Sequence, residues 1–188
     1  MQGGDREALR RRLIEIVRLK SFRSGELFKL ASGKMSTLYF NMKPTLLDAE
    51  GAHLSATLIL DAIHGDRADL VGGLELGAVP IAASVAAISA VEGRPVGGFI
   101  VRKQAKEHGS KERLEGQVKA GDKVVVIDDV LTTGGSVVQA IEAVEALGAS
   151  VLRVVCICDR LQGAREALAK YDFRPIFTIR DFGIEPPK

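Results

Sequence analysis

Apolar positions along this chain follow two rhythms, one near its start and another from residue 69 onward. Between residues 5 and 19, Leu9, Leu13, Ile16 and Val17 recur at helical spacing, while arginine crowds the opposite face. That predicts an amphipathic helix with a solvated arginine face. The segment 25–47, GELFKLASGKMSTLYFNMKPTLL, mixes turn residues with short strand-like pieces, and residues 48–64 read as a helix capped by Asp48. From residue 69 short Val/Ile runs alternate with helical stretches. DLVGG is a strand, AVPIAASVAAISAVE (78–92) a helix, PVGGFIVRK (95–103) a strand, and KVVVIDD (123–129) another. A helix over 136–147 places Val137, Ile141 and Val144 on one side, with Gly148 as its stop. VLRVVCICD (151–159) is a strand, GAREALAKY a helix and FRPIFTI a last strand. Unbroken apolar strands alternating with helices predict a parallel sheet covered on both faces, in an α/β fold that binds ligands at the carboxyl ends of its strands. The length, 188 residues, suits one domain.

One stretch breaks this order. QAKEHGSKERLEGQVKAG (104–121) has almost no apolar residues inside a compact pattern, and connections of that length are commonly functional or disordered. Across 102–113, Arg102, Lys103, Lys106, Lys111 and Arg113 outnumber Glu107 and Glu112. The chain as a whole carries only +2, so this positive field is local, and a continuous nucleic-acid-binding face is not expected. No run approaches the roughly 18 apolar residues of a membrane span. The N-terminal MQGGDREALRRRL has no apolar signal core, which predicts a cytoplasmic protein with no membrane partner. Cys156 and Cys158, both inside VLRVVCIC, are badly placed to bond to each other and read as buried, reduced thiols.

The densest chemistry lies in VVVIDDVLTTGGS, residues 124–136. A core strand ends on two adjacent acids, Asp128 and Asp129, where open α/β sheets place their ligands. Thr132, Thr133, Gly134 and Gly135 then expose backbone N–H groups at the start of a helix near Ser136. The helix dipole adds partial positive charge there, which makes the turn a phosphate cradle. The acids themselves suit ribose hydroxyls, or a hydrated Mg²⁺ held through water. Neither G-x-x-x-x-G-K-[ST] nor G-x-G-x-x-G occurs in the chain.

This stretch resembles the phosphoribosyl-pyrophosphate (PRPP) signature of the type I phosphoribosyltransferases. The resemblance implies their parallel-sheet core flanked by helices, over about residues 48–188, with a small N-terminal hood subdomain over about 1–47. It implies that Asp128 and Asp129 meet the ribose hydroxyls, and that Val130, Leu131, Thr132, Thr133, Gly134, Gly135 and Ser136 form the 5-phosphate loop. R-K-x-x-K-x-H-G from residue 102 is similar to the catalytic loop of the orotate-specific branch. That implies pyrophosphate contacts from Arg102, Lys103, Lys106 and His108, with Lys106 catalytic beside Asp128 and Asp129. In that branch the loop, which Gly109 lets bend, closes partly over the neighbouring subunit's site, so a homodimer is implied. S-G-x-x-S-x-x-Y at Ser32, Gly33, Ser36 and Tyr39 resembles the branch's substrate-side segment, and Asp159-Arg160 its D-R pair. These imply an orotate pocket formed by Tyr39, Phe40, Thr132 and Arg160, the arginine meeting the carboxylate. PRPP and orotate are then the substrates, with Mg²⁺ held through PRPP and water and not directly by the protein. The chain departs from some members in having Ala31 in place of a lysine and no lysine across 72–80; Lys34 could substitute.

Overall fold

The computed structural model describes residues 3–29, 35–104 and 113–186. Helix α1 (Gly3–Lys20) leads into β1 (Phe22–Lys29) and β2 (Met35–Phe40), which pair antiparallel with each other alone. A single turn, α2 (Lys43–Leu46), precedes α3 (Ala49–Ala62), whose first turn is capped by Asp48 accepting from the Gly51 amide at 3.0 Å. The remaining elements are β3 (Leu70–Leu74), α4 (Ala78–Val91), β4 (Gly97–Val101), β5 (Leu114–Glu115), β6 (Lys123–Leu131), α5 (Gly135–Glu145), β7 (Ser150–Asp159), α6 (Ala164–Ala167) and β8 (Phe173–Thr178). A 3₁₀ turn, Ile179–Phe182, follows.

The central sheet runs β5-β4-β3-β6-β7-β8. Its long strands are parallel, as the continuous Val/Ile runs predict, but β5 pairs antiparallel with β4. The chain must return from the basic stretch past the open edge of β4, and pairing there satisfies that edge's backbone groups. Helices α1, α3 and α4 cover one face of the sheet, over a core that includes Val71, Val125, Ile127 and Ile157. Helices α5 and α6 cover the other, over Phe99, Val124, Val126 and Val154. Both faces are therefore dry, and each fully buried Val or Ile contributes about 1.5–3 kcal/mol.

Two elements differ from the sequence pattern. α6 spans four residues instead of the nine of GAREALAKY. Only Ala164 and Leu168 bury apolar surface there, too little to hold a longer helix. The arginine face of α1 is not simply solvated. Arg6 meets Asp61 at 2.9 Å, Arg12 meets both Glu50 oxygens at 2.8 and 2.9 Å, and Arg10 meets Asp181 at 2.6 Å. Carboxylates on α3 and on the C-terminal turn face α1, because α1 lies against both. The exposed Arg12–Glu50 pair orients the helix more than it stabilises it; the anchors of α1 are Leu13 and Val17, both fully buried. Cys156 and Cys158 are free and buried, and burial pushes both thiols well above their ordinary range, which makes them poor nucleophiles. Among the described residues no helix is long and apolar enough to cross a membrane.

Arg153 fastens the sheet end remote from the acids. It is buried, pairs with Asp66 and Asp172 at 2.9 Å each, and donates to the Ala62 carbonyl. Removing it strands these partly shielded carboxylates. Arg153→Ala is expected to cost about 3 kcal/mol. In a chain of this size that lowers the thermal midpoint by roughly 6–12 °C, as a melting curve would show.

Candidate active site

The strand order places a topological switch between β3 and β6. The connection leaving β3 crosses through α4 on one face, whereas that leaving β6 crosses through α5 on the other. The two loops part at the carboxyl ends of these strands and open a crevice between them, the position where open α/β sheets take ligands. Asp128 and Asp129 stand on the β6 side of that crevice. The β3–α4 loop, Glu75 to Gly77, forms the other wall.

The approach of these walls is close. A Cβ on Gly77 would sit 2.5 Å from Asp129 Oδ1 and 2.9 Å from Asp128 Oδ1, so only glycine lets the loop backbone reach the acid pair. Asp128 is 6% exposed, and each of its oxygens has a donor: the Asp129 amide at 2.9 Å and the Ser136 hydroxyl at 2.5 Å. Asp129 is half-buried and accepts from the Val130 amide at 2.8 Å. Burial, reinforced by the neighbouring Asp129 carboxylate, raises the pKa of Asp128 to about 7, against the pull of Ser136. Further donors reaching Asp128 from a ligand would favour its charged form.

Past Leu131 the chain turns through Thr132 and Thr133 into Gly134, which adopts φ +85° and starts α5. That left-handed conformation, and α6 packed behind it with Ala167 Cβ only 3.3 Å from where a Cβ would stand, both require glycine here. No side chain caps α5. Its first-turn amides have no acceptor within the helix, and they lie where residues 132–136 form the expected phosphate loop. The one hydroxyl in that turn bonded to the acid pair is Ser136.

The basic segment is rooted at the same crevice. β4, its starting strand, is separated from β6 by β3, so Arg102 and Lys103 lie across the β3–α4 loop from the acids, with the Arg102 guanidinium meeting Glu115 at 3.5 Å. Lys103 donates its amide to Glu75 Oε1 at 2.9 Å, and the Glu75 amide donates to Val101 at 2.8 Å. On the return side the Arg102 amide donates to the Arg113 carbonyl at 2.7 Å, closing the base of the loop. Lys106 and His108 lie outside the described residues, as do Ala31, Ser32, Gly33, Lys34 and the side chain of Ser36.

Strand β7 supplies the far end of the crevice. Asp159, fully buried, accepts from the Leu161 amide at 2.8 Å, and Leu161 turns the chain at φ +54°. Arg160 is held in this bend by its amide donating to the Leu131 carbonyl at 2.9 Å. Its guanidinium stands 6.0 Å from the centroid of the Phe40 ring, and its Nε is buried with no acceptor among the described residues. A half-buried cation without an acid partner fits a carboxylate ligand. Tyr39 does not join it. Successive strand residues face opposite ways, and Tyr39 stacks on Phe28 at 5.4 Å while Phe40 turns to Arg160. Sequence reasoning missed Glu75 and Gly77. The only signal was a glycine placed directly between a strand end and an alanine-rich helix.

A crevice at a sheet's switch point, walled by paired acids, an uncapped helix start and a rooted basic segment, suits a phosphorylated sugar. The family model described as Phosphoribosyl transferase domain matches residues 45–185. The chain belongs to that family, and orotate phosphoribosyltransferases are among its relatives there. The orotate phosphoribosyltransferase of Bradyrhizobium sp. (strain ORS 278) is 46% identical over 183 residues, covering 94% of this chain and 98% of its own. That of Mycobacterium tuberculosis H37Rv, solved in complex with Fe(III) dicitrate, superposes with a TM-score of 0.82 at 34% identity, over 94% of this chain and 99% of its own. The same enzyme in complex with PRPP gives a TM-score of 0.79 at 31% identity, over the same shares.

Folding moves the Asp128 pKa from the ordinary carboxylate value of 3.8 up to about 7. The unfolded chain therefore loses this proton first. The carboxyl costs nothing below about pH 4, stability falls as pH rises from 4 to 7, and the loss persists above. Asp128→Asn keeps the shape without the charge. Without ligand, its thermal midpoint is expected to exceed that of the wild type at pH 8, by about 2–4 °C for each kcal/mol recovered, and the gap is expected to close near pH 4.

Proposed function

We propose that this chain transfers ribose 5-phosphate from PRPP to N1 of orotate, giving orotidine 5′-monophosphate and pyrophosphate in pyrimidine nucleotide synthesis. The observation that carries this reading is the span of the crevice: an acid pair and an uncapped helix start at one end, and an unpaired guanidinium over an aromatic ring at the other. The first end suits a phosphorylated ribose and the second a planar base bearing a carboxylate. The 46% identical relative named above supports the same assignment.

In this reading the 5-phosphate takes the amides of residues 132–136, where helix dipole and N–H groups converge. The ribose hydroxyls donate to Asp128 and Asp129, adding to the donors these acids already have and favouring the charged form of Asp128. At the transferring carbon, bond breaking runs ahead of bond making, so positive charge gathers on the sugar ring. The acid pair lies where its negative field favours that charge. Arg102, Lys103, Lys106 and His108 face the departing pyrophosphate, and closure of their loop excludes water that would otherwise hydrolyse the activated sugar.

Among the described residues no cluster of three or more His, Cys, Asp or Glu could hold a metal. Two adjacent carboxylates suit Mg²⁺ that keeps its waters and is shared with substrate oxygens. Bound in that way, the ion would neutralise pyrophosphate charge. A homodimer is supported by α4, whose outward face carries Ala83, Ala87, Ala90 and Val91, with Leu76 just before it. A helix that is apolar all round calls for cover, and a second copy would bring its basic loop to this crevice. We place the enzyme in the cytoplasm, as one domain with β1 and β2 in the hood.

Following orotate absorbance with PRPP and Mg²⁺ tests the assignment. Turnover is expected in the wild type. Its absence, with pyrophosphate released on another base, would move the chain to a different substrate; its absence with every base would make it a PRPP-binding regulator. Lys106→Ala is expected to lower kcat by roughly 10²–10³, and an unchanged rate would remove the basic loop from the mechanism.

A further inference from the structure

The C-terminal 3₁₀ turn belongs to no part of the site described so far, yet it touches its base end. Phe182 is buried, and its ring meets four groups. The edge-on contact with Phe40 lies at 5.3 Å between centroids, that with Phe177 at 5.5 Å, and the tilted contact with Phe22 at 5.1 Å. The Arg18 guanidinium covers the ring at 4.9 Å. The turn itself is fastened at both ends. Asp181 accepts from the Thr178 amide at 2.8 Å and from Arg10 at 2.6 Å, while Arg18 donates to the Asp181 carbonyl.

Phe40, by contrast, sits at the end of β2, in a two-stranded ribbon that does not pair with the central sheet. Arg160 rests over one side of the Phe40 ring, and Phe22 and Phe182 hold other parts of it. Of these neighbours, Phe22 belongs to the same ribbon. Among the described residues Phe182 is the one ring from outside the ribbon packed against Phe40, and it is tied back to α1 and β8. We infer that Phe182 is a positioning residue for base recognition: by bracing Phe40 it holds the Arg160 guanidinium at the angle a carboxylate-bearing base requires. This rests on the proposed function for the identity of that base, but the brace itself does not. Arg160, with its Nε lacking an acceptor, has nothing else among the described residues to fix its head group, so loss of the aromatic support should free it.

Phe182→Ala removes a large buried ring and risks the fold, so Phe182→Leu, which keeps most of the volume without the ring, carries the test. Two readouts are made on the full chain, after a melting curve establishes that the variant is folded. The first is steady-state kinetics. KM for orotate is expected to rise roughly 3- to 10-fold, the worth of an aromatic pair, with KM for PRPP within about twofold of the wild type. The second is the rate of phenylglyoxal labelling at Arg160, read by mass spectrometry against Arg113 as internal reference, which is expected to rise several-fold. A labelling rate equal to the wild type's overturns the brace, whatever base the enzyme uses. Faster labelling with both KM values unchanged, or both raised alike, overturns its role in base recognition. A wild type that does not turn orotate over defeats the proposed function instead, and leaves the labelling to decide the brace.

Discussion

Everything in this molecule depends on β6 carrying two carboxyl groups toward the end of a strand whose middle is fully dry. Val124 through Ile127 are completely buried, and each contributes about 1.5–3 kcal/mol. That apolar burial tolerates the several kcal/mol it costs to dehydrate a carboxylate at the same strand's tip. The strand therefore cannot retreat to rehydrate Asp128 without exposing its own interior. The strain appears as proton affinity instead of movement, since Asp128 holds its proton to about pH 7.

From that point the rest of the crevice is arranged by backbone. Gly77 brings the β3–α4 loop against the acids because no side chain intervenes. Glu75, two residues earlier, holds the Lys103 amide. The acid pair and the root of the basic segment are thus joined through three residues of one loop. On the other side, the Leu131 carbonyl accepts from the Arg160 amide, so the strand that carries the acids also sets the height of the arginine. The root of the basic segment and Arg160 are thus each held through a backbone amide, one donating to the Glu75 side chain and one to the Leu131 carbonyl. The separations along the crevice are accordingly as rigid as the sheet.

Much of this was legible in the sequence, and what escaped did so for identifiable reasons. Val/Ile runs bounded by glycine and acids declare buried parallel strands, because few other structures tolerate them. The D-D-V-L-T-T-G-G-S turn declares its chemistry because acids, small hydroxyls and glycines fall consecutively on one loop. What did not show were features made by residues distant in sequence. The pairing of Arg10 with Asp181 spans most of the chain. The antiparallel β5 is two residues long, far below what periodicity can signal. Tyr39 and Phe40 look alike in a string, and only the strand's pleat separates them. Gly77 reads as an ordinary helix start until the opposing carboxylates are in place.

The base of the basic segment has a consequence for how such a protein can change. Its two stems are clamped by the β4–β5 pairing and by the Arg102–Arg113 bond. Doubling the length of a span closed in this way raises the entropy of closure by only about 0.6 kcal/mol. A change in the length of that span therefore weighs little on folding. Selection can vary its size while the sheet and the paired stems stay as they are.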